Sequence, residues 1–497
     1  MTTLLHAIEQ HAQKSPASVA VIGQNLQLSY RALQQEITKL AALFAVSGFQ
    51  RVALFLDNSP VWVVADLAAQ RAGVTLTPLP TFFTAKQIEH ALADASVQVI
   101  LTDNTHIFGK ELPQYQARPF ITVLGLGLWS VIRDAKKVSN VPRAVAKITY
   151  TSGTTGEAKG VCLSQSLMDR VAKSLVEAVE VTPRDRHLCL LPLPVLLENI
   201  AGIYTCLLAG ACCMVPSLNT VGMQGAATLD VNAMVRALHT WAPTTVVMLP
   251  QMLHALVVLG EAGVALPTSL RFIAVGGAPV SRALLERAHH LGLPVYEGYG
   301  LSECVSVVAV NSPSANRVGS VGKPLPHLSI KFNNEGEILI KGALFSGYLG
   351  QRPGGDEWYA SGDLGYFDDD GYLYLTGRKR SCFITSYGRN VAPEWIEREL
   401  VQSPHIAQAS VFGEARPFNV AIIVPHRGAG KTHREEIDEA IAEGNKRLPD
   451  YAQVTAWIEA DEPFSLENGQ LTATGRARRE VIWSVYGSRV DTLHAPQ

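Results

Sequence analysis

One short segment of the sequence combines the residue types that bind phosphate. From Tyr150 to Gly160 it reads Tyr-Thr-Ser-Gly-Thr-Thr-Gly-Glu-Ala-Lys-Gly, with three glycines, four Ser and Thr hydroxyls and one lysine. Glycines let successive backbone N–H groups face one point and bind an anion, hydroxyls add donors, and Lys159 adds a positive charge. The spacing differs from the G-x-x-x-x-G-K-[ST] nucleotide loop, because Gly153 and Gly156 are three apart and glycine follows the lysine. A plain surface turn is the alternative, but a turn does not need so many hydroxyls.

The segments around this loop alternate between short apolar strands and helices. A buried strand, Val145–Tyr150, is predicted to run directly into the loop. Such alternation indicates βαβ units and a parallel sheet, and its return later in the chain predicts two packed subdomains. The predicted elements of the two blocks are Arg51–Leu56, Pro60–Ala72, Val74–Pro78, Thr84–Ala93 and Val97–Leu101, then Thr244–Leu249, Pro250–Leu259, Leu270–Val275 and Ser281–Leu291.

The pattern changes after Gly319, where short strands alternate with glycine turns. We therefore expect an α/β fold with a large N-terminal domain, residues 1–379, built from two βα-rich subdomains and a small β-barrel-like subdomain. A small, mobile α+β C-terminal domain, residues 380–497, is expected to follow. The most apolar stretch, Ile200–Pro216, predicts a buried helix running into a buried strand, because a membrane-spanning helix needs about 20 apolar residues.

Composition excludes several classes of protein. Among 497 residues, 42 Lys and Arg balance 44 Asp and Glu, so the net charge of −2 disfavours binding to nucleic acid through bulk charge. With 47% hydrophobic and 17% charged residues the chain is not disordered. Seven cysteines without a C-x-x-C pair predict neither a disulfide framework nor a zinc site. The N-terminus does not resemble a signal peptide, so the cytoplasm is the expected compartment.

The Tyr150–Gly160 loop resembles the phosphate-binding signature of the adenylate-forming (AMP-binding) superfamily. Matching motifs follow in the family's order from about Tyr30 to Arg479, and the chain looks most like an acyl-CoA synthetase or fatty acyl ligase. The resemblance implies that a carboxylate attacks the α-phosphate of ATP, releasing pyrophosphate and leaving acyl-AMP, which then reacts with a thiol. It implies ATP, Mg²⁺ and CoA, or the phosphopantetheine of a carrier protein in place of CoA.

The same resemblance implies a nucleotide site. Tyr299 would stack on adenine and Ser302 would meet the α-phosphate. Glu303 would hold Mg²⁺, as suits a carboxylate and a hard cation. Asp363 and Arg378 would contact the ribose, whereas Asp368-Asp-Asp-Gly371 reads as a plain hairpin turn. The implied nucleotide-binding residues are Thr151, Ser152, Gly153, Thr154, Thr155, Gly156, Lys159, Gly276, Gly277, Ala278, Pro279, Glu297, Gly298, Tyr299, Gly300, Ser302, Asp363 and Arg378.

Three positions of the C-terminal domain take roles by the same resemblance. Arg380 stands at the family's hinge, and Gly388 lies in the loop that would face the thiol tunnel. Arg476 stands where relatives carry a lysine that bridges the carboxylate and the phosphate. Arginine keeps the charge but grips oxygens with a fork of different reach. Lys446 or Arg478 in that role, or a weak or non-catalytic relative, are the alternatives.

The acyl pocket is expected to include Val195, Glu198, Gly202 and Gly276. The stretch Leu-Pro-Leu-Pro-Val before Leu196 has no acid, and a buried apolar wall cannot cheaply hold an ammonium group, so an α-amino acid is disfavoured. Glu198 is either a pocket residue or a satisfied helix residue.

We therefore expect an ATP-dependent ligase that joins a fatty or other apolar acid to a thiol, most simply CoA. Lys159, Glu303 and Arg476 are its expected catalytic residues. The alternatives are an enzyme that loads a carrier protein or releases acyl-AMP, and a non-catalytic nucleotide-binding relative. A membrane span and nucleic-acid partners are not expected.

Overall fold

The computed structural model describes residues 3–110, 112, 115–132, 145–151, 159–225, 228–278, 280–342, 344–351, 357–379, 383–386, 390–426, 433–472 and 475–494. They form a mixed α/β protein with a large N-terminal part and a smaller C-terminal part, as the sequence predicted. No helix among these residues is long and apolar enough to cross a membrane.

The first sheet has parallel strands at its centre and antiparallel strands at both edges. In spatial order its strands are Gln116–Val123, Leu126–Ile132, Val99–Thr102, Arg51–Phe55, Thr75–Pro78, Lys147–Thr151 and Lys159–Leu163. The helices of this region are Thr3–Lys14, Tyr30–Ser47, Pro60–Ala72, Ala85–Asp94, His106–Lys110 and Gln165–Ala178.

The helix Pro60–Ala72 has the predicted bounds because its ends are marked in the sequence. The Ser59 hydroxyl accepts from the Trp62 N–H, and proline occupies the first turn, where its missing N–H costs nothing. Gly73 ends the helix at φ 69°, a left-handed conformation that favours glycine. The helix is buried almost throughout, including Asp66.

The second sheet also has a parallel centre. In spatial order its strands are Lys323–Pro324, Ala309–Val310, Val295–Tyr299, Phe272–Val275, Thr245–Met248, Arg186–Leu188, Cys212–Met214, Val19–Ile22 and Gln27–Ser29. Its helices are the π-helix Leu197–Tyr204, the α-helices Thr205–Ala209, Val231–Trp241, Pro250–Glu261 and Arg282–His290, and the 3₁₀ turns Leu218–Val221 and Ser302–Cys304. A short ribbon, Met223–Gln224 with Thr228–Leu229, lies beside them. The predicted buried helix and strand within Ile200–Pro216 are confirmed, although the first part of the helix is π rather than α.

The small β-rich subdomain is an antiparallel sheet of the strands Ser329–Phe332, Glu337–Lys341, Tyr359–Phe367 and Leu373–Arg378. The turn between its last two strands is the predicted Asp368–Gly371 hairpin turn, in which an Asp368 carboxylate oxygen accepts from the Tyr372 N–H at 2.9 Å. Gly371 has φ 79°.

The C-terminal part has its own core around a three-stranded sheet. The strand Asn419–Pro425 lies between Ile406–Phe412, which is antiparallel to it, and Val454–Glu459, which is parallel. Its remaining elements are the ribbon Phe383–Ile384 with Asn390–Val391, the helices Pro393–Leu400, His433–Asn445 and Arg479–His494, and the 3₁₀ turn Asp450–Ala452.

The cysteines of the described residues are free and buried. They are Cys162, Cys189, Cys206, Cys212, Cys213 and Cys304; Cys382 lies outside the described residues.

Candidate active site

The phosphate loop begins and ends on two paired strands. Thr151 pairs with Lys159 at the open end of the antiparallel ribbon formed by Lys147–Thr151 and Lys159–Leu163. The loop residues predicted to bind phosphate, Ser152, Gly153, Thr154, Thr155 and Gly156, lie outside the described residues. The ribbon fixes where the loop leaves and rejoins the sheet.

Lys159 and Glu303, predicted to act on phosphate and Mg²⁺, both contact one tyrosine, Tyr348. The Lys159 ammonium is 5.2 Å from the centre of the Tyr348 ring, a cation–π distance. The Tyr348 hydroxyl donates to Glu303 Oε1 at 2.7 Å. Tyr348 is held next to the ribbon by a bridge to Val161. Sequence reasoning missed this tyrosine, whose only signal is an aromatic residue directly after Gly347.

The two predicted ribose residues are direct partners. Asp363 and Arg378 face each other across antiparallel strands, and Arg378 Nε is 2.9 Å from Asp363 Oδ1. The Tyr299 hydroxyl donates to the other oxygen of Asp363 at 2.5 Å. A carboxylate has about four lone-pair positions, so two remain for a diol. The structure thus brings together the three residues assigned to adenosine.

Burial and neighbouring charges together shift the pKa values in this cluster. Burial and the neighbouring Asp363 carboxylate raise the pKa of Tyr299 well above its ordinary value, so the phenol stays protonated and can donate. Burial lowers the pKa of Arg378, but Asp363 and Glu394 outweigh it and the net shift is upward. Burial raises the pKa of the Glu297 carboxyl to about 8, against opposing effects of Arg398 and the Val280 N–H. Glu297 is therefore largely protonated at neutral pH.

Close contacts and backbone conformation explain three glycines of the predicted nucleotide motifs. A Cβ on Gly300 would lie 1.4 Å from the Ser306 carbonyl oxygen, so no side chain fits there. Gly277 has φ 80° and would place a Cβ 3.3 Å from Leu249. Gly276 packs on the carbonyl of Gly298, which joins the two motifs. Pro279 lies outside the described residues, and Ala278 is exposed next to it. Ser302 begins the 3₁₀ turn that carries Glu303.

Arg476 reaches this cluster from the C-terminal part of the chain. Its guanidinium donates to the Gly277 carbonyl at 3.0 Å. Desolvation and the Arg378 cation lower the pKa of Arg476, while Asp363 and Glu303 act in the opposite direction. The side chain thus lies within the field of the other site residues.

Lys446 and Arg478, the two alternatives to Arg476, form their contacts within the C-terminal part. Lys446 pairs with Glu443 at 2.6 Å on the surface, and Arg478 donates to the Gly469 carbonyl within the C-terminal part. Arg380 and Gly388, the expected hinge and thiol-tunnel residues, lie outside the described residues, so their roles stay predictions.

The segment expected to line the acyl pocket contains a buried, hydrogen-bonded glutamate. Val195 is half-buried. Glu198 is fully buried and uses both carboxylate oxygens within the protein, on His187 Nε2 at 2.7 Å and the Leu191 N–H at 2.9 Å. A Cβ on Gly202 would lie 2.5 Å from both Glu198 and His187. Of the two interpretations of Glu198, its contacts fit the satisfied helix residue.

Two family models account for nearly the whole chain. The AMP-binding enzyme model matches residues 8–349, and the model of the AMP-binding enzyme C-terminal domain matches residues 381–496. The chain belongs to the AMP-binding enzyme family. The family resemblance predicted from the motifs is therefore confirmed.

Two relatives of this chain are named as ligases of different acids. A long-chain-fatty-acid–CoA ligase of Mycobacterium bovis is 26% identical over 544 residues, covering 90% of this chain and 88% of that protein. A 2-succinylbenzoate–CoA ligase of Enterococcus faecalis is 30% identical over 429 residues, covering 82% and 85%.

A solved structure has the same fold. The o-succinylbenzoate CoA synthetase of Bacillus subtilis in complex with ATP and a magnesium ion is 25% identical, with a TM-score of 0.76 over 95% of this chain and 98% of that one.

Proposed function

We propose that this member of the AMP-binding enzyme family is an ATP-dependent acid–thiol ligase that activates an apolar carboxylic acid as acyl-AMP and transfers the acyl group to CoA. The observation that carries the proposal is the convergence of separate segments on one site. Lys159 and Glu303 contact the same tyrosine, Arg378 pairs with Asp363, and Arg476 lies within electrostatic reach of Glu303, Asp363 and Arg378.

The residues fit the substrates that this reaction requires. Tyr299, Asp363 and Arg378 offer an aromatic face, free lone pairs and a guanidinium to adenosine. Lys159 and Arg476 bring positive charge to the phosphates, where the first step develops negative charge on oxygen. Tyr348 hydrogen-bonds to only one carboxylate oxygen of Glu303, so the other oxygen can contact Mg²⁺. When bound, Mg²⁺ would neutralise phosphate charge.

In the first step the acid is itself the nucleophile, so the protein needs no general base. Arg476 would hold the acid carboxylate against the α-phosphate, and its guanidinium can grip two oxygens together. The bond from the carboxylate oxygen to phosphorus forms as the bond to pyrophosphate breaks. In the second step the thiol attacks the acyl carbon, and AMP leaves.

An apolar acid is the class that the acyl segment favours. Glu198 is the acid on this segment, and it is fully engaged with His187 and Leu191, so it offers no free charge to an ammonium group. The named relatives support CoA as the acceptor and include both a fatty acyl and an aryl ligase. We take a fatty acyl substrate as the first choice to test.

Acid-dependent exchange of pyrophosphate into ATP tests the first step, with fatty, aryl and amino acids compared in one panel. We expect exchange with fatty or aryl acids and none with amino acids. Absence of exchange with every acid would refute the ligase and favour a nucleotide-binding relative. The same acids are then offered with CoA and with a phosphopantetheinylated carrier protein. We expect an acyl-CoA product, and exchange without any thioester would limit the activity to acyl-AMP formation.

A further inference from the structure

The π-helix Leu197–Tyr204 is held by a buried charge network that the ligase mechanism does not use. Lys147 and Asp66 are each 1% exposed, and their charged atoms are 2.9 Å apart. Lys147 is also 2.5 Å from Asn199 Oδ1 and 3.0 Å from the Tyr204 hydroxyl. All three hydrogens of the ammonium group thus have a partner nearby.

Asp66 binds the same two residues of the π-helix. Its Oδ2 accepts from the Tyr204 hydroxyl at 2.7 Å and from Asn199 Nδ2 at 3.1 Å. The cation and the anion therefore both contact Asn199 and Tyr204. Desolvation lowers the pKa of Lys147, but the Asp66 carboxylate opposes that shift.

This contact requires π rather than α geometry. Asn199 and Tyr204 are five residues apart, which places them about 140° apart around an α-helix at 100° per residue. In a π-helix, hydrogen bonds join residues five apart, so such residues lie above one another. The Thr205 N–H bonds to the Ile200 carbonyl in this five-residue pattern. The Lys147–Asp66 pair thus favours the π form by binding a surface that only this form presents.

A second buried pair holds the π-helix from another strand. Glu198 binds His187, whose Nδ1 is 3.0 Å from the Thr245 hydroxyl. Gly202 packs so closely on this pair that no side chain fits. Both pairs have both partners in the interior, where a lone charge is costly.

The N-terminal end of the π-helix reaches the active site. A Cβ added to Gly277 would lie 3.8 Å from the Leu197 side chain. Gly277 is the residue whose carbonyl accepts from Arg476. Lys147 lies in the strand that enters the phosphate loop. A continuous series of contacts therefore runs from the buried charges through the π-helix to the place where acid and nucleotide would meet.

We propose that Lys147 and Asp66 are positioning residues that hold Leu197–Tyr204 in its π form and thereby set the shape of the acid-binding wall. The inference rests on the proposed ligase function. If the pair is lost, the segment is free to return to α geometry, and Leu197 rotates relative to Gly277. Recognition of the acid suffers more than recognition of ATP.

The test replaces the charged pair by apolar residues of similar size, Asp66→Leu with Lys147→Met, because removing both charges leaves no unpaired buried ion. Kinetic constants for acid and ATP are measured by pyrophosphate exchange across the acid panel. We expect KM for the preferred acid to rise at least tenfold, KM for ATP to stay within twofold, and the order of preferred acids to change.

The control replaces a different ion pair, Arg71→Met with Glu9→Leu, in which Arg71 lies on Pro60–Ala72, the helix that also carries Asp66. These charges are 2.7 Å apart and do not belong to the network around Asn199 and Tyr204. We expect wild-type KM values for acid and ATP. A rise in KM for acid equal to that of the Asp66–Lys147 variant would attribute the effect to general loosening of the helix and overturn the proposal.

Tyr204→Phe provides a second test, should the double variant fail to fold. It keeps the ring and the ion pair but removes the hydroxyl that bridges Lys147 and Asp66. We expect a several-fold rise in KM for acid alone. A folded variant with unchanged KM and unchanged acid preference would overturn the proposal. If the wild-type protein shows no pyrophosphate exchange with any acid, that result would instead refute the ligase function itself.

Discussion

Replacing Arg476 by alanine tests the central assignment of the site. Arg476 reaches the cluster by a hydrogen bond of 3.0 Å to the Gly277 carbonyl, and it lies within the fields of Arg378, Asp363 and Glu303. A hydrogen bond from a charged group contributes about 1.5–3 kcal/mol, and one donor to a developing oxyanion about 2.7–4 kcal/mol. We therefore expect Arg476→Ala to slow acid-dependent pyrophosphate exchange by about 10- to 1,000-fold.

The two half-reactions give the assay its specificity. Arg476 is predicted to act in acyl-AMP formation, so the transfer of a preformed acyl-adenylate to CoA should stay within about twofold of the wild-type rate. Arg476→Lys keeps the charge without the fork and should fall between alanine and wild type. Equal losses in both half-reactions would indicate damage to the fold rather than to the first step.

Arg478→Ala is the matched comparison. Arg478 is two residues from Arg476 along the chain, but its side chain donates to the Gly469 carbonyl within the C-terminal part. We expect wild-type exchange. Wild-type exchange in Arg476→Ala together with a loss in Arg478→Ala would transfer the role to Arg478 and refute the reasoning from the Gly277 contact.

Three further substitutions test separate parts of the site. Asp363→Asn should raise KM for ATP at least tenfold, because it weakens charge-assisted bonds of about 1.5–3 kcal/mol, and Asp369→Asn in the exposed turn should leave it unchanged. Tyr348→Phe removes the 2.7 Å hydrogen bond to Glu303 and should raise the Mg²⁺ concentration for half-maximal exchange about two- to tenfold; an unchanged Mg²⁺ titration would contradict that role. The pKa of Glu297 is raised from an ordinary 4.5 to about 8, so the folded state binds more protons between those pH values and its stability falls as pH rises. In urea unfolding from pH 5 to 8, Glu297→Gln should remove a decline of at most about 4 kcal/mol, and an identical decline in both proteins would show that Glu297 does not cause it.

Local signals allowed much of the fold to be predicted. The bounds of Pro60–Ala72 follow from Ser59 and Gly73, which act within one turn of the helix. The Asp368–Gly371 turn likewise depends on its own side chains. The strand predicted at Val97–Leu101 is observed at Val99–Thr102, a shift of one or two residues typical of boundaries that only pairing defines.

Features that depend on distant partners could not be predicted. The π form of Leu197–Tyr204 leaves no distinct apolar period, and its charged partners are far away in the sequence. The satisfied state of Glu198 depends on His187, and the bridging place of Tyr348 depends on a neighbouring strand. The resemblance identified the positions of Asp363 and Arg378, and the fold shows that they touch, while their roles toward ATP stay predictions.

The burial of the cysteines has a consequence for an enzyme that makes acyl-adenylates. Such an adenylate is an electrophile, and any accessible thiolate of the protein would compete with the intended acceptor. Cys304 directly follows Glu303, yet it is 0% exposed and burial raises its pKa far above the ordinary value. Burial likewise raises the pKa of Cys162 and Cys212 to about 11, and Cys206, whose pKa is lowered by its hydrogen bond with Cys213, is also out of reach of solvent. None of the cysteine thiols among the described residues is therefore accessible to an acyl-adenylate, and we expect the acceptor thiol to belong to another molecule.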